Sequence, residues 1–161
     1  METLFRKIIT AKDLDRVRQI TLSTGFFRDD EIEVAVGLAT EAYKKGQEQS
    51  GYLFLFSMIG DDTTGFVCYG PTPCTIGTYD LYWIVVDNHF RGNGTGKMLI
   101  QQTEMELINR KARKLYIETS STEKYLPTRK FYENCGYSEE ARLHDFYSES
   151  DDKVIYSKVL I

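Results

Sequence analysis

The stretch from residue 79 to residue 119 constrains this chain more than any other. An apolar run, "YDLYWIVV", leads into the glycine-rich "FRGNGTGKM", then a long helical pattern and a second apolar run, "KLYIET". Two strands joined through a helix cannot form a tight hairpin, so the crossover makes them parallel neighbours in one sheet. "YDLYWIVV" is apolar on both alternating faces after Asp80, which predicts a central strand buried on both sides. The helix, from Gly94 or Thr95 to about Lys111, carries two apolar stripes. Leu99, Ile100, Thr103 and Leu107 form one, and Met98, Met105, Ile108 and Ala112 the other, so it is expected to be covered on more than one side.

The flanking sequence supplies further elements. Residues 4–9, "LFRKII", read as a first strand. A helix over 11–24 places Leu14, Val17 and Ile20 or Thr21 on one face and stops at Gly25. A second, from about Asp30 to Lys45, has acids in its first turn, lysines in its last and Gly46 after it, as the helix dipole favours. "GYLFLFSMI" and "TTGFVCYG" flank Gly60-Asp61-Asp62 as an antiparallel hairpin, and "PTPCTIGT" is a loop. Pro127 opens a short helix that Gly136 closes. Two last strands, about 137–147 and 153–160, turn through "SESDD". The sum is about seven strands and four helices in a mixed α/β sheet. No repeat or linker interrupts the 161 residues, so one domain over 1–161 is expected.

Charge and composition exclude several classes. The net charge of −4 leaves no basic surplus to neutralise a phosphate backbone, so nucleic acid is not an expected partner. The first residues lack the ~7–15-residue apolar core of a signal peptide, and no run approaches the ~18 residues that span a bilayer. A cytoplasmic protein without membrane partners is expected. Cys68, Cys74 and Cys135 are odd in number, lack CxxC spacing and have two histidines for company. They indicate neither a disulfide framework nor a metal site, but reduced packing residues.

A turn between a strand end and a helix start exposes unpaired N–H groups at the positive end of a helix dipole, a place for phosphate. A tightly packed turn would use the same glycines, so spacing must decide. A Walker A loop needs G-x-x-x-x-G-K-[ST], which puts Arg91 where its first glycine belongs and Met98 where its hydroxyl belongs. The dinucleotide pattern G-x-G-x-x-G, begun at Gly92, meets Lys97 where it needs glycine. R-x-x-G-x-G fits, through Arg91, Gly94 and Gly96.

Placed after a buried strand ending "IVV", that motif resembles the acyl-CoA pyrophosphate loop of the GNAT superfamily of N-acetyltransferases. Downstream, "LYIETSSTEKYLPTRKFYENCGY" is similar to the family's next strand and its "FYE..GY/F" helix. The order of elements agrees over 51–161, and the two early helices fit the family's variable substrate lid. The resemblance implies a mostly antiparallel, roughly seven-stranded sheet with a central parallel pair, flanked by about four helices. It implies an acetyltransferase that uses acetyl-CoA, without metal, by direct attack of a primary amine in a ternary complex.

Residue by residue, the resemblance implies that Ile84, Val85 and Val86 pair through their backbone with the pantetheine arm. The pyrophosphate falls to the N–H groups of Arg91, Gly92, Asn93, Gly94, Thr95, Gly96 and Lys97, with Gly94 and Gly96 allowing approach and Arg91 and Lys97 neutralising charge. Val86 N–H meets the oxyanion. Tyr132 is the family-matching proton donor: a phenol of pKa about 10 can protonate a thiolate of pKa about 8.5, which Phe cannot. On composition alone, Phe131 and Tyr132 are plain core aromatics. The amine, pKa about 10.4, must also lose a proton, and the base is open between Asp80 and Glu118. Lys130 or Arg129 is a candidate to meet the ribose phosphate, although both read more simply as the charged face of a short exposed helix. The Asn seven residues before the family's tyrosine is Tyr125 here, and the Ala four before is Thr128.

Phe26, Phe27, Asp29, Asp30, Tyr79 and Asp80 would suit a cationic small molecule or a peptide amino terminus, although Phe26 and Phe27 equally suit anchoring of the lid. A homodimer is one option for assembly. A non-catalytic acyl-CoA sensor or interaction module is the alternative function. An ATP-binding protein is a third reading, against which the loop mismatches stand. Cys135, without a nearby histidine, is a poor acyl-enzyme nucleophile.

Overall fold

The computed structural model describes residues Met1–Ile161. Its strands are β1 (Thr3–Arg6), β2 (Leu53–Ile59), β3 (Asp62–Pro71), β4 (Thr78–Val86), β5 (Lys114–Ser120), β6 (Ser138–Ser148) and β7 (Asp151–Val159). They form one seven-stranded sheet in the order β1-β2-β3-β4-β5-β7-β6, in which β4 and β5 are the parallel pair. Its helices are α1 (Ala11–Ser23), α2 (Asp29–Lys45), α3 (Gln47–Ser50), α4 (Thr95–Asn109) and α5 (Leu126–Asn134). This is the mixed α/β fold expected. By internal contacts the chain divides into two compact units, Met1–Gly70 with Tyr82–Met105, and Pro71–Leu81 with Glu106–Ile161.

In the first unit, β2 and β3 pair antiparallel from Leu53↔Tyr69 to Ile59↔Asp62, with an irregularity between Ser57 and Met58. Phe54, Phe56 and Phe66 stack at the core against Val17 and Ile20 of α1 and Ala35, Ala39 and Ala42 of α2. The alanines recur at helical spacing, so α2 presents a narrow face that can lie close to the rings. Each phenylalanine so buried contributes about 1.5–3 kcal/mol over an exposed one. Gly65 permits a further close approach: a Cβ there would stand 2.8 Å from the Val85 carbonyl and 3.1 Å from Leu99 Cδ1. Arg6 fastens β1 to α1 through two 2.8 Å hydrogen bonds to the buried Asp13 carboxylate, with its guanidinium stacked on Phe56. Asp13 also accepts from Thr10 N–H, capping α1.

In the second unit, the parallel ladder runs from Thr78↔Lys114 to Leu81↔Ile117, while β5 pairs along its whole length with β7. The Gly77 carbonyl accepts from Arg113 N–H at 2.7 Å, closing the unit at the entry to both strands. Pro127 stands in the first turn of α5, and Gly136, at φ +92°, follows its end. β6 is exposed along its length and pairs with β7 through two irregularities.

Several expectations are corrected. β1 ends at Arg6, where its side chain turns to Asp13, and Ile8 is exposed. The helices number five, because α3 was too short to show a period. β4 is central in order but not buried on both faces: Leu81 and Val85 are buried, Trp83 packs on Phe27, and Tyr82 on the other face is exposed. α4 ends at Asn109, and its second stripe is covered only in part: Met98 is half-buried, and Ala112 is buried but lies beyond the helix. Leu99, Ile100, Thr103 and Leu107 are buried, whereas Met105 and Ile108 are exposed at 58% and 43%. Apolar composition marks where a helix can be covered; the neighbouring elements decide where it is.

Candidate active site

The first unit presents the glycine stretch. β4 passes its last apolar residues, Ile84, Val85 and Val86, into a 3₁₀ turn over Asn88–Phe90 and then into the loop. Arg91, Gly92, Asn93 and Gly94 are all exposed. Gly92 and Gly94 sit at φ +82° and +76°, the left-handed region that side-chain-bearing residues avoid, and a Cβ on either would meet nothing within 4 Å. The glycines are here for conformation, and the surface above them is open. Gly96 is not a loop residue but lies in the first turn of α4, between the buried Thr95 and the exposed Lys97. The first bond across that turn runs from Met98 N–H to the Gly94 carbonyl at 3.0 Å. The N–H groups of Thr95, Gly96 and Lys97 therefore precede the helix's own bonding and carry its positive dipole end.

The turn before the loop is anchored by residues that sequence reasoning missed. Asp87 is buried and accepts from His89 N–H at 2.9 Å, from the His89 ring at 2.9 Å and from Arg16 Nη2 at 2.7 Å. Burial alone would raise its carboxyl, but these hydrogen bonds outweigh burial and hold it below the usual range. The available signal was an Asp two residues before the N–H it captures, the mark of an Asx turn.

The second unit holds the candidate acid and both candidate bases. Tyr132 on α5 is 5% exposed, its ring set among Phe131, Tyr137 and Tyr156 at centroid separations of 5.6, 6.3 and 6.0 Å. Burial pushes its phenol well above the ordinary value, so it remains protonated at any physiological pH. Asp80 and Glu118 form a separate group. Asp80 is half-buried and accepts from Thr72 Oγ1 at 2.7 Å; burial raises its carboxyl, that bond opposes the rise, and the charge of Glu118 adds to it. Glu118 is half exposed and pairs with Lys153 Nζ at 2.9 Å. A carboxyl raised in this way is a better proton acceptor near neutral pH than an ordinary one.

Other residues have local roles. Arg129 donates through Nη1 to the Ser120 and Thr122 carbonyls, both at 2.8 Å, so it fastens α5 to the end of β5 instead of lying on a solvated face. Lys130 is exposed. Phe27 packs on Trp83 and the core, and Phe26 packs edge-on against Phe27, which is the anchoring reading. Asp30 pairs with Arg28 at 3.0 Å. All three cysteines are free, and no helix is long and apolar enough to cross a membrane.

Comparison with known proteins gives the family and the fold. Residues 50–139 match the family model for the acetyltransferase (GNAT) domain. Among solved structures, a protein assigned to the GNAT family of acetyltransferases from Desulfovibrio desulfuricans shares 42% identity at a TM-score of 0.97, over 99% of this chain and 100% of that one. The ribosomal-protein-S18-alanine N-acetyltransferase of Escherichia coli has a TM-score of 0.77 at 16% identity, covering 99% of this chain and 94% of that one. An aminoglycoside 6'-N-acetyltransferase complexed with coenzyme A has a TM-score of 0.76 at 17% identity, covering 98% and 97%. The last two show likeness of fold. No curated protein sequence matches.

Proposed function

The chain belongs to the GNAT family of acetyltransferases, and from that premise we propose that it transfers the acetyl group of acetyl-CoA to a primary amine on a small molecule or peptide. The whole of 1–161 acts as one acetyltransferase domain. The observation that carries the reading is the exposed loop at 91–94, with Gly92 and Gly94 in left-handed conformations directly before the N-terminus of α4. Such main chain can surround a pyrophosphate, and the coenzyme A complex of a protein of the same fold supports that ligand.

In this proposal the N–H groups from Arg91 to Lys97 hold the pyrophosphate, while Arg91 and Lys97 add charge from the surface. The main chain of Ile84, Val85 and Val86 has a reason to be available: the parallel ladder of β4 ends at Leu81. These residues take the pantetheine amides, and Val86 N–H stabilises the negative charge that develops on the carbonyl oxygen during attack. Acetyl-CoA supplies an activated acyl thioester whose leaving group is a thiolate. Tyr132, protonated throughout the working range, donates the proton that this group needs. Asp80 accepts the proton that the amine must lose, with Glu118 as the rival. Three free cysteines suit a reducing, cytoplasmic setting.

The test is a calorimetric titration with acetyl-CoA, with ATP and NAD as controls, followed by a panel of amines read by release of free thiol. Micromolar binding of acetyl-CoA alone, with turnover of at least one amine, is expected. Silence from acetyl-CoA overturns the loop assignment, and binding without thiol release across the panel overturns the amine reading.

A further inference from the structure

Helix α1 falls, in sequence, within the segment that the family resemblance gives to the acceptor lid. Its hydrogen bonds in the first unit run elsewhere. Arg16 donates through Nη2 to Asp87 Oδ2 at 2.7 Å, and through Nη2 and Nε to the Thr63 carbonyl at 2.6 and 3.1 Å. Its one guanidinium thus joins the start of β3 to the residue that follows β4. At the C-terminal end of α1, Ser23 Oγ accepts from Asn88 N–H at 3.0 Å while donating to the Ile20 carbonyl at 2.7 Å. The turn these bonds reach is tied on its remaining sides as well: Asp87 N–H donates to the Thr64 carbonyl at 2.8 Å, and Phe90 N–H to the Asp87 carbonyl at 2.8 Å. Residue 91 follows immediately.

The arrangement has a physical purpose beyond cohesion. The exposed loop has glycines at two left-handed positions and so has little stiffness of its own. A backbone cradle binds an anion well only if its donors are already aimed, because ordering a flexible loop on binding subtracts from affinity. The stiffness must then come from the ends of the loop. One end is the N-terminus of α4; the other is the turn that Asp87, Arg16 and Ser23 hold.

We propose that Arg16 and Asp87, assisted by Ser23, are positioning residues for the pyrophosphate loop, so that α1 serves as a brace for the cofactor as well as part of the acceptor side. None of the three touches the reacting atoms. The proposal rests on the reading of residues 91–97 as the acetyl-CoA loop.

Three variants test it. Arg16→Lys keeps the charge but cannot span Thr63 and Asp87 with one planar fork. Asp87→Asn keeps an acceptor for His89 N–H but loses the ion pair. Ser23→Ala removes one hydroxyl from α1 and leaves the buried pair intact, which keeps the test open if the other two fold poorly. Acetyl-CoA Kd and KM are expected to rise about tenfold for Arg16→Lys and Asp87→Asn and about threefold for Ser23→Ala, from displaced donors. The amine KM and the kcat at saturating acetyl-CoA should stay within about twofold, a split that general loss of stability would not produce. Folded variants with wild-type Kd, or equal rises in both KM values, overturn the brace alone. Wild-type protein that does not bind acetyl-CoA overturns the loop reading and the brace with it.

Discussion

The loop at residues 91–97 and Tyr132 on α5 serve the same proposed reaction with opposite materials. The loop offers main chain: its first four residues are exposed, Gly92 and Gly94 adopt left-handed conformations that other residues rarely take, and the proposed anion contacts there are backbone N–H groups. Tyr132 offers one hydroxyl on a ring that is almost fully buried among three other aromatics. On the proposed reading, conformational function sits on the surface and is sensitive to backbone, whereas side-chain function sits in the packing and is sensitive to single atoms. The two should fail differently when mutated.

The largest effect should come from Gly94→Glu, which places bulk and like charge in the cradle and forces a side-chain-bearing residue to φ +76°. Acetyl-CoA binding should disappear in calorimetry. Gly94→Ala separates the causes, since its Cβ would meet nothing within 4 Å and only backbone strain of roughly 1–2 kcal/mol remains. A glutamate variant with unchanged affinity would remove the loop from the site.

Next comes Tyr132→Phe, which keeps the ring and deletes the oxygen. Turnover should fall roughly 10-fold to 10³-fold with little change in acetyl-CoA affinity or in Tm. If the rate is unchanged, Tyr132 is a core aromatic and the contrast with the loop dissolves.

The two carboxylates give a smaller effect with a defined sign. A base must be ionised to accept a proton, so kcat/KM should fall as pH drops through its pKa. Asp80 is raised by burial and further by Glu118, which moves that limb up from the ordinary carboxylate range. Asp80→Asn should abolish the limb. Glu118→Gln removes the charge that helps hold Asp80 up, and should move the limb to lower pH. Loss of the limb in the glutamine variant and its survival in the asparagine variant would transfer the base to Glu118.

The same contrast governs what could be read from sequence. The crossover, the hairpin and the glycine spacing were legible because chain connectivity and positive φ leave marks in residue order: Gly25, Gly46, Gly92, Gly94 and Gly136 all adopt positive φ. Tyr132 was legible only through a motif, since a buried phenol that works and one that merely packs have the same composition. Exposure was the least legible. Met105 and Ile108 look as coverable as Leu99 and Leu107, yet nothing in the local pattern says which stripe meets a neighbour. Asp13 and Asp87 escaped because each is neutralised by an arginine on another element, and such a pairing has no local period.

The smallest effect sharpens the contrast most. Arg91 and Lys97 are exposed, so Arg91→Ala and Lys97→Ala should leave Tm unchanged and weaken acetyl-CoA about two- to tenfold each. Because screening over a Debye length of about 8–10 Å weakens exposed charges, those losses should shrink as salt is raised from low to physiological strength. The contribution of the backbone donors, held close to the anion, should depend on salt much less. If removing both cations costs little at physiological salt, the cradle binds by main chain, and the motif's arginine acts on encounter more than on affinity. If the pair of substitutions abolishes binding at every salt concentration, the side chains carry the site, and the two regions differ less than their burial implies.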